Sequence, residues 1–127
     1  MLGRQEEATR LLREALKSDP DPQYRAYHQA LLGTLEGNRE AALPGIEKIV
    51  AHNRDPEAWF YQVRSLAHLG DHEEALDLLE RVSRSFFPVH AFEYDPWLDP
   101  LRASPRFAEV LRAAIERHEA AREVWGM

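Results

Sequence analysis

The fold is indicated first by a short stretch at residues 69–75, which reads LGDHEEA. Related stretches lie at residues 2–8, which read LGRQEEA, and at residues 36–42, which read EGNREAA. Their glycines stand at positions 3, 37 and 70, and their alanines at 8, 42 and 75, so both recur after 34 and then 33 residues. A period near this length is typical of chains built from repeated pairs of helices.

The residues around positions 69–75 suit the end of one helix and the start of the next. Gly70, like Gly37, follows a helical pattern and can adopt the left-handed conformation that ends many helices. Asp71, like Asn38, can cap the next helix, and Glu74 stands at the spacing of a capping box. Ala75, Leu79 and Val82 then recur at the intervals of a single helical face.

The other helix of each predicted pair opens with Asp-Pro, at residues 21–22 and 55–56. Aspartate is a good N-cap, and proline is tolerated at the first helical position. Ala26, Ala30 and Gly33 then share one face, where another helix can approach closely.

Pro44 interrupts this regularity, because it stands inside the second helix of its pair. A proline inside a helix removes one backbone hydrogen bond and clashes with the preceding turn. We therefore expect a kink around residues 40–41, or a helix that begins later.

Composition agrees with a helical chain and excludes several classes of protein. Ala, Leu, Glu and Arg make up about half of the 127 residues, as is typical of helix-rich proteins. The net charge of −6 disfavours a nucleic-acid binder. With no cysteine, disulfides, thiol nucleophiles and cysteine-ligated metals are excluded. The sequence has no apolar run long enough to cross a membrane and no secretory signal, so we expect a cytoplasmic protein.

No motif for catalysis or cofactor binding is present in the sequence. His68 and His72 have the four-residue spacing of metal ligands on a helix, but Gly70 and Asp71 break the helix between them. The serines lie in no nucleophile elbow, and the glycines form no phosphate loop. We expect neither an enzyme nor a bound cofactor or metal.

The pattern over residues 2–88 resembles the tetratricopeptide repeat family, and the match is best over residues 56–88. Departures include Gln29 and Gln62, which stand where this family usually has leucine. The resemblance implies an all-α protein, a superhelix of antiparallel helix pairs forming one domain over residues 1–127. Its parts are a half repeat at 1–20, repeats at 21–55 and 56–88, and an irregular segment with a capping helix at 89–127. The residues that carry the match at 56–88 are Trp59, Leu66, Gly70, Ala75 and Pro88.

The end of the chain supports a narrower resemblance. Residues 95–107 resemble the closing segment of tetratricopeptide tails in bacterial signalling proteins, where the tail follows a kinase, a cyclase or a DNA-binding domain. Two Asp-Pro steps in this run, at residues 95–96 and 99–100, allow only short helical turns. Ser104 and Pro105 then open a capping helix that reaches about residue 124.

The family resemblance implies a function in protein–protein interaction, as a regulatory or scaffolding module that binds a peptide or a partner helix in a concave groove. Tyrosine and arginine suit such a surface, because they are enriched where partners bind. An alternative is that Phe92, Tyr94 or Trp97 folds back and fills this groove. The residues predicted to bind the partner are Tyr24, Tyr27, His28, Leu31, Phe60, Tyr61, Arg64 and His68.

A second function is also open. The first helix has an apolar stripe and one neighbour too few, because only half of its repeat is present. Since single repeats cannot bury their faces alone, the stripe could pack against another copy as a homodimer, or the chain could be the C-terminal piece of a longer protein. A further alternative is that the helix itself acts as a cap and leaves a modest apolar strip. The residues predicted for self-association are Ala8, Leu11, Leu12 and Ala15.

Overall fold

The computed structural model describes residues 2–18, 21–85 and 89–125, and these are helical throughout apart from short connections, with no strand among them. The predicted all-α class is therefore confirmed. Pro88, one of the residues that carry the family resemblance, lies outside the described residues. The elements are α1 (Leu2–Ser18), α2 (Pro22–Leu35), α3 (Arg39–His52), α4 (Pro56–His68), α5 (His72–Arg84), α6 (Val89–Tyr94), a 3₁₀ helix (Pro96–Leu101) and α7 (Pro105–Trp125).

The chain divides into two compact units, Met1–Arg54 and Asp55–Met127. In the first unit α2 packs on α3 and α1 packs on α2. In the second, α4 packs on α5 and on the 3₁₀ helix, while α7 packs on α5 and α6. Each unit thus contains one pair of adjacent helices joined by a short turn, together with additional helices.

The turns within the two pairs are alike. Gly37 and Gly70 have positive φ angles of 68° and 87°. The residue after each glycine donates its N–H to a carbonyl five residues back, from Asn38 to Gly33 at 2.8 Å and from Asp71 to Leu66 at 2.9 Å. This hydrogen-bond pattern is the Schellman motif, in which a left-handed residue satisfies the last carbonyls of a helix. The predicted glycine turns are confirmed at both positions.

Helix starts follow the sequence with one exception. The side chain of Asp55 accepts from the N–H of Glu57 at 2.9 Å, and that of Asn38 accepts from Ala41 at 3.2 Å. The predicted capping box at Asp71 is wrong, since its side chain makes no capping hydrogen bond to α5. Its ψ of 66° lies outside the extended region in which Asn38 and Asp55 bring their side chains over the first turn.

In the first unit the two paired helices are held by small residues. A Cβ added at Gly33 would lie 2.6 Å from the backbone nitrogen of Ala42, and one added at Gly45 would lie 2.6 Å from the carbonyl oxygen of Ala26. The backbones of α2 and α3 are therefore close enough to exclude any side chain at these two glycines. The predicted small face of Ala26, Ala30 and Gly33 is confirmed as the contact surface of α2.

Pro44 lies inside α3 without delaying its start. The helix begins at Arg39, immediately after the Asn38 cap, and includes Pro44. The predicted later start is therefore wrong, because Asn38 already satisfies an early N–H of this helix; the predicted kink stays a prediction. The close contact with α2 accounts for Gly45, which follows Pro44, because there is no room for a side chain there.

In the second unit larger side chains form the core. The face of α5 predicted from Ala75, Leu79 and Val82 is fully buried. Phe92 of α6, together with Leu98 and Leu101 of the 3₁₀ helix, is also buried. Burial of a Leu or Phe side chain contributes about 1.5–3 kcal/mol, so α6 and the 3₁₀ helix are integral to this core. The remaining buried apolar residues of the unit are Ala58, Phe60, Val63, Leu66, Ala67, Leu76, Leu78, Phe107, Val110 and Ala114.

Arg106 at the start of α7 ties that helix to α5. Its guanidinium lies within ion-pair distance of Glu73, Asp77 and Glu80, three acids on one face of α5. The pKa of Arg106 is raised above its usual value, chiefly by the hydrogen bond with Asp77. The hydrogen bond with Glu80 and the negative charges of Asp77 and Glu73 act in the same direction, while desolvation opposes them. The acidic row is visible in the sequence, but its partner is not.

Candidate functional site

The stripe predicted to line the groove in α4 is covered in part within the second unit. Phe60 is 5% exposed, and its ring lies 5.6 Å from that of Phe92 in α6. His68 lies with its ring 5.3 Å from the ring of Trp97, in the 3₁₀ helix. In this structure Phe60 offers no surface to a partner.

Arg64 contacts both its own helix, α4, and the 3₁₀ helix that covers it. Its guanidinium is 4.8 Å from the centre of the Trp97 ring and 5.7 Å from that of Tyr61. Its Nε lies 3.1 Å from Oδ2 of Asp95, an ion-pair distance at which the N–H is not directed at the carboxylate. The other oxygen of Asp95 accepts from the N–H of Trp97 at 2.9 Å, which caps the 3₁₀ helix. Asp95 thus joins the 3₁₀ helix to α4.

The alternative that the irregular segment folds back is therefore observed for α4. Phe92 and Trp97 cover the stripe, as that alternative supposed, whereas Tyr94 is 75% exposed. Sequence reasoning missed Asp95 as a partner of Arg64. The one available signal was a carboxylate just before Pro96, which indicated a cap but not a second role.

Two residues of the α4 stripe, Tyr61 and His68, are exposed. Tyr61 is about half exposed, and its hydroxyl lies 3.5 Å from Oε1 of Glu57 one turn earlier. It therefore keeps an open aromatic surface beside the buried Phe60.

The corresponding stripe on α2 is more open. Tyr24 is 60% exposed and Leu31 is 42% exposed, while Tyr27 and His28 between them are half-buried. Tyr24 and Leu31 are seven residues apart, which places them on one face of the helix two turns apart. That face lies opposite the small residues that contact α3. An aromatic and an aliphatic side chain are thus presented together on the surface of the first unit.

The stripe predicted on α1 is also open. Leu11 is 51% exposed, and Ala8, Leu12 and Ala15 are half-buried. Among residues 4–18, whose side chains the structure describes, none is buried. The residues of α3 and α5 that match Ala8, Leu12 and Ala15 in the sequence pattern are all at most 2% exposed. They are Ala42, Ile46 and Ile49 in α3, and Ala75, Leu79 and Val82 in α5.

A shallow depression of about 730 Å³ lies between α1 and the end of α2. Arg13 crosses it to pair with Glu36 at 2.9 Å. Acidic and basic side chains alternate around it, so it attracts no single sign of charge. Its lining residues, which sequence reasoning did not single out, are Gln5, Glu6, Thr9, Arg10, Arg13, Glu14, Lys17, Leu35 and Glu36.

The histidine pair considered as a metal site stands on two different helices. His68 is the last residue of α4 and His72 is the first of α5, and both are exposed. Within residues 2–18, 21–85 and 89–125 no three metal-ligating side chains of His, Asp or Glu come together. Over the same residues, no helix has the length and apolar character needed to span a bilayer.

No family model, curated protein or solved structure matches the chain. The resemblance to the tetratricopeptide repeat family therefore stays a prediction that rests on the residues themselves.

Proposed function

We propose that this chain is a protein-interaction module of the helical-repeat type, without catalytic activity, that binds a partner segment on the outer face of α2. The observation that carries the proposal is the exposure of Tyr24 and Leu31 on one face, beside Tyr27. Large apolar side chains grouped on a surface are typical of interaction sites, and tyrosine is enriched among residues that dominate binding.

The repeat character of the proposal is supported by the two matching helix pairs. Both pairs turn at a glycine with positive φ, 33 positions apart, and both bury an alanine completely five residues later, Ala42 and Ala75. Repeats of this kind form binding surfaces from the exposed faces of successive helices. We propose a regulatory or scaffolding role on this basis, in which the fold supplies a surface and the partner supplies the activity.

The test uses a peptide selected for binding to the full chain from a displayed library of helical peptides. Its affinity is then measured for the unchanged chain and for the double variant Tyr24→Ala with Leu31→Ala. Because truncation of central interface residues typically removes more than 1 kcal/mol, we expect binding to weaken by about tenfold or more.

A matched control is the double variant Tyr94→Ala with Val124→Ala, which removes one aromatic and one aliphatic side chain, both exposed, from the second unit. Its affinity for the selected peptide should change by less than about twofold. The proposal fails if the α2 variant binds as tightly as the unchanged chain, or if only the control variant loses binding.

A second candidate function is self-association through α1, favoured by the absence of any buried side chain among residues 4–18. In that case sedimentation of the purified chain should show a dimer as concentration rises from micromolar to millimolar. Leu11→Glu should abolish the dimer, because it places a charge in the apolar contact. Val124→Glu, at a site that is also exposed, should leave it unchanged. A strict monomer throughout this range would exclude self-association.

A further inference from the structure

The covered stripe of α4 serves as an internal reference for the open stripe of α2. The two helices occupy the same place in their pairs, since each precedes a turn with a positive-φ glycine, Gly37 or Gly70. Counting back from these glycines, Tyr27 corresponds to Phe60, and Leu31 corresponds to Arg64. What covers α4 therefore shows how a segment can lie on a helix face of this kind.

The segment on α4 has two features that match the helix beneath it. An aromatic ring, Phe92, lies against Phe60 with 5.6 Å between ring centres. Three residues later a carboxylate, Asp95, pairs with Arg64. The side chain of Asp95 is 13% exposed, and that of Arg64 is 27% exposed. Each charge has therefore lost most of its water and depends on the other.

The α2 stripe keeps the aromatic position and lacks the charged one. Tyr27 retains an aromatic ring where α4 has Phe60, and Tyr24 adds a second one a turn earlier. Leu31 replaces the guanidinium of Arg64 with an uncharged aliphatic side chain. A carboxylate placed over Leu31 would lose water without gaining an ion pair, and an unpaired charge at an interface is unfavourable.

From these correspondences we infer that the α2 stripe binds a short helical segment of a partner protein that presents an aromatic side chain to Tyr24 and Tyr27 and an aliphatic one to Leu31. Charge complementarity sets the choice between the two faces: the α4 face takes an acid and the α2 face rejects it. This inference rests on the proposed function, and it adds the chemistry of the partner.

Two synthetic peptides test the inference directly. The first carries residues 90–101 of this chain, HAFEYDPWLDPL, which contain the aromatic and the acidic positions. The second is the same peptide with Asp95→Leu. Each is labelled with a fluorophore and titrated with the full chain while fluorescence anisotropy is followed. We expect the Leu peptide to bind about tenfold more tightly than the Asp peptide, because only the latter desolvates an unpaired carboxylate.

Exchanging the residue on the chain should reverse the preference. The variant Leu31→Arg reproduces the charge of Arg64 and should bind the Asp peptide more tightly than the Leu peptide. The matched control is Leu11→Arg, which makes the same change at a similarly exposed leucine on α1 and should keep the preference of the unchanged chain. A reversal confined to Leu31→Arg also excludes peptide invasion of the α4 face.

Three outcomes would overturn the inference. These are equal affinities of the two peptides for the unchanged chain, binding of neither, and a preference that Leu31→Arg leaves as it was. None of them decides the proposed function, because the library-selected peptide and the Tyr24→Ala, Leu31→Ala variant test that separately. If the selected peptide depends on α2 while the synthetic pair does not discriminate, the site stands and the partner chemistry assigned here is wrong.

Discussion

Helices α2 and α4 begin alike and end alike, yet the outer face of α2 is open and that of α4 is partly covered. Both start at an Asp-Pro step and are followed by a left-handed glycine. On α4 Phe92 and Trp97 cover the part of the face around Phe60, whereas on α2 Tyr24 and Leu31 are exposed. The periodic residues thus determine how each helix pair packs, and a segment outside the period determines which face stays accessible.

The largest expected effect on stability comes from removing the side chain of α6 that packs on α4. Phe92→Ala deletes a ring that is 1% exposed and packs on Phe60. Truncating a buried phenylalanine typically costs about 3–5 kcal/mol through lost burial and the cavity left behind. Urea denaturation should therefore show a loss of this size.

Tyr94→Ala is the control for Phe92→Ala, since it removes another aromatic side chain from the same short helix, α6, at a position that is 75% exposed. It should change the free energy of unfolding by no more than about 0.5 kcal/mol. Equal effects of the two variants would mean that α6 is not anchored on α4 by Phe92.

The next comparison concerns how the two helices of the first pair, α2 and α3, are held together. Gly45→Ala places a Cβ 2.6 Å from the carbonyl oxygen of Ala26, a backbone atom that cannot move aside by rotating a side chain. Overpacking of this kind costs about 2 kcal/mol, although alanine is otherwise favoured over glycine inside a helix by about 1 kcal/mol. Thermal and urea unfolding should both show destabilisation.

Gly37→Ala separates close packing from backbone conformation. An added Cβ at Gly37 meets no atom within 4 Å, but its φ of 68° is strained for alanine. We expect a loss of about 1 kcal/mol from that strain alone. If Gly45→Ala leaves the protein equally or more stable, the close approach of α2 and α3 is refuted.

The features that could be predicted from the sequence are those that repeat along the chain. The glycine turns, the caps at Asn38 and Asp55 and the buried alanines follow from local chemistry that repeats along the chain, so they were predictable. The pairing of Arg64 with Asp95 joins residues 31 positions apart outside any repeat, and no local rule indicates it. The need for glycine at position 45 depends on the distance between two helices, which the sequence does not express.

The candidate site was predicted only in part for the same reason. The pattern placed the candidate residues of α2 and α4 on one kind of helical face, because helical periodicity alone defines a face. It could not separate the exposed Leu31 from the buried Phe60. That difference depends on the path of residues 89–101, where two Asp-Pro steps predicted short turns but not the helix that they cover.

The next comparison concerns the ion pair between Arg64 and Asp95 on α4, which has no counterpart at Leu31 on α2. Arg64→Ala leaves the carboxylate of Asp95, 13% exposed, without its partner, and removes the cation from the Trp97 ring. For a partly exposed pair we expect a loss of about 1.5 kcal/mol. The equivalent change on α2, Leu31→Ala, should cost about 0.5 kcal/mol, since that side chain is 42% exposed. Chemical denaturation of both variants gives the difference, and equal losses would contradict the assigned cover.

The last expected effect is a gain in stability, and it compares two glutamines that are 33 residues apart. Gln62 is 3% exposed, and its amide oxygen has no hydrogen-bond partner among the described residues; its Nε2 donates only a long bond of 3.4 Å to the carbonyl oxygen of Ala58. A buried polar group without a partner is destabilising, so Gln62→Leu should raise the free energy of unfolding by about 1 kcal/mol. Gln29, its counterpart on α2, is exposed, and Gln29→Leu should leave stability within about 0.5 kcal/mol.

The tetratricopeptide pattern usually has leucine at both positions, so a gain at Gln62 alone would show that burial rather than the pattern decides where leucine is favourable. A gain of equal size at both sites would contradict the role assigned to burial, because leucine and glutamine have nearly equal helix propensities.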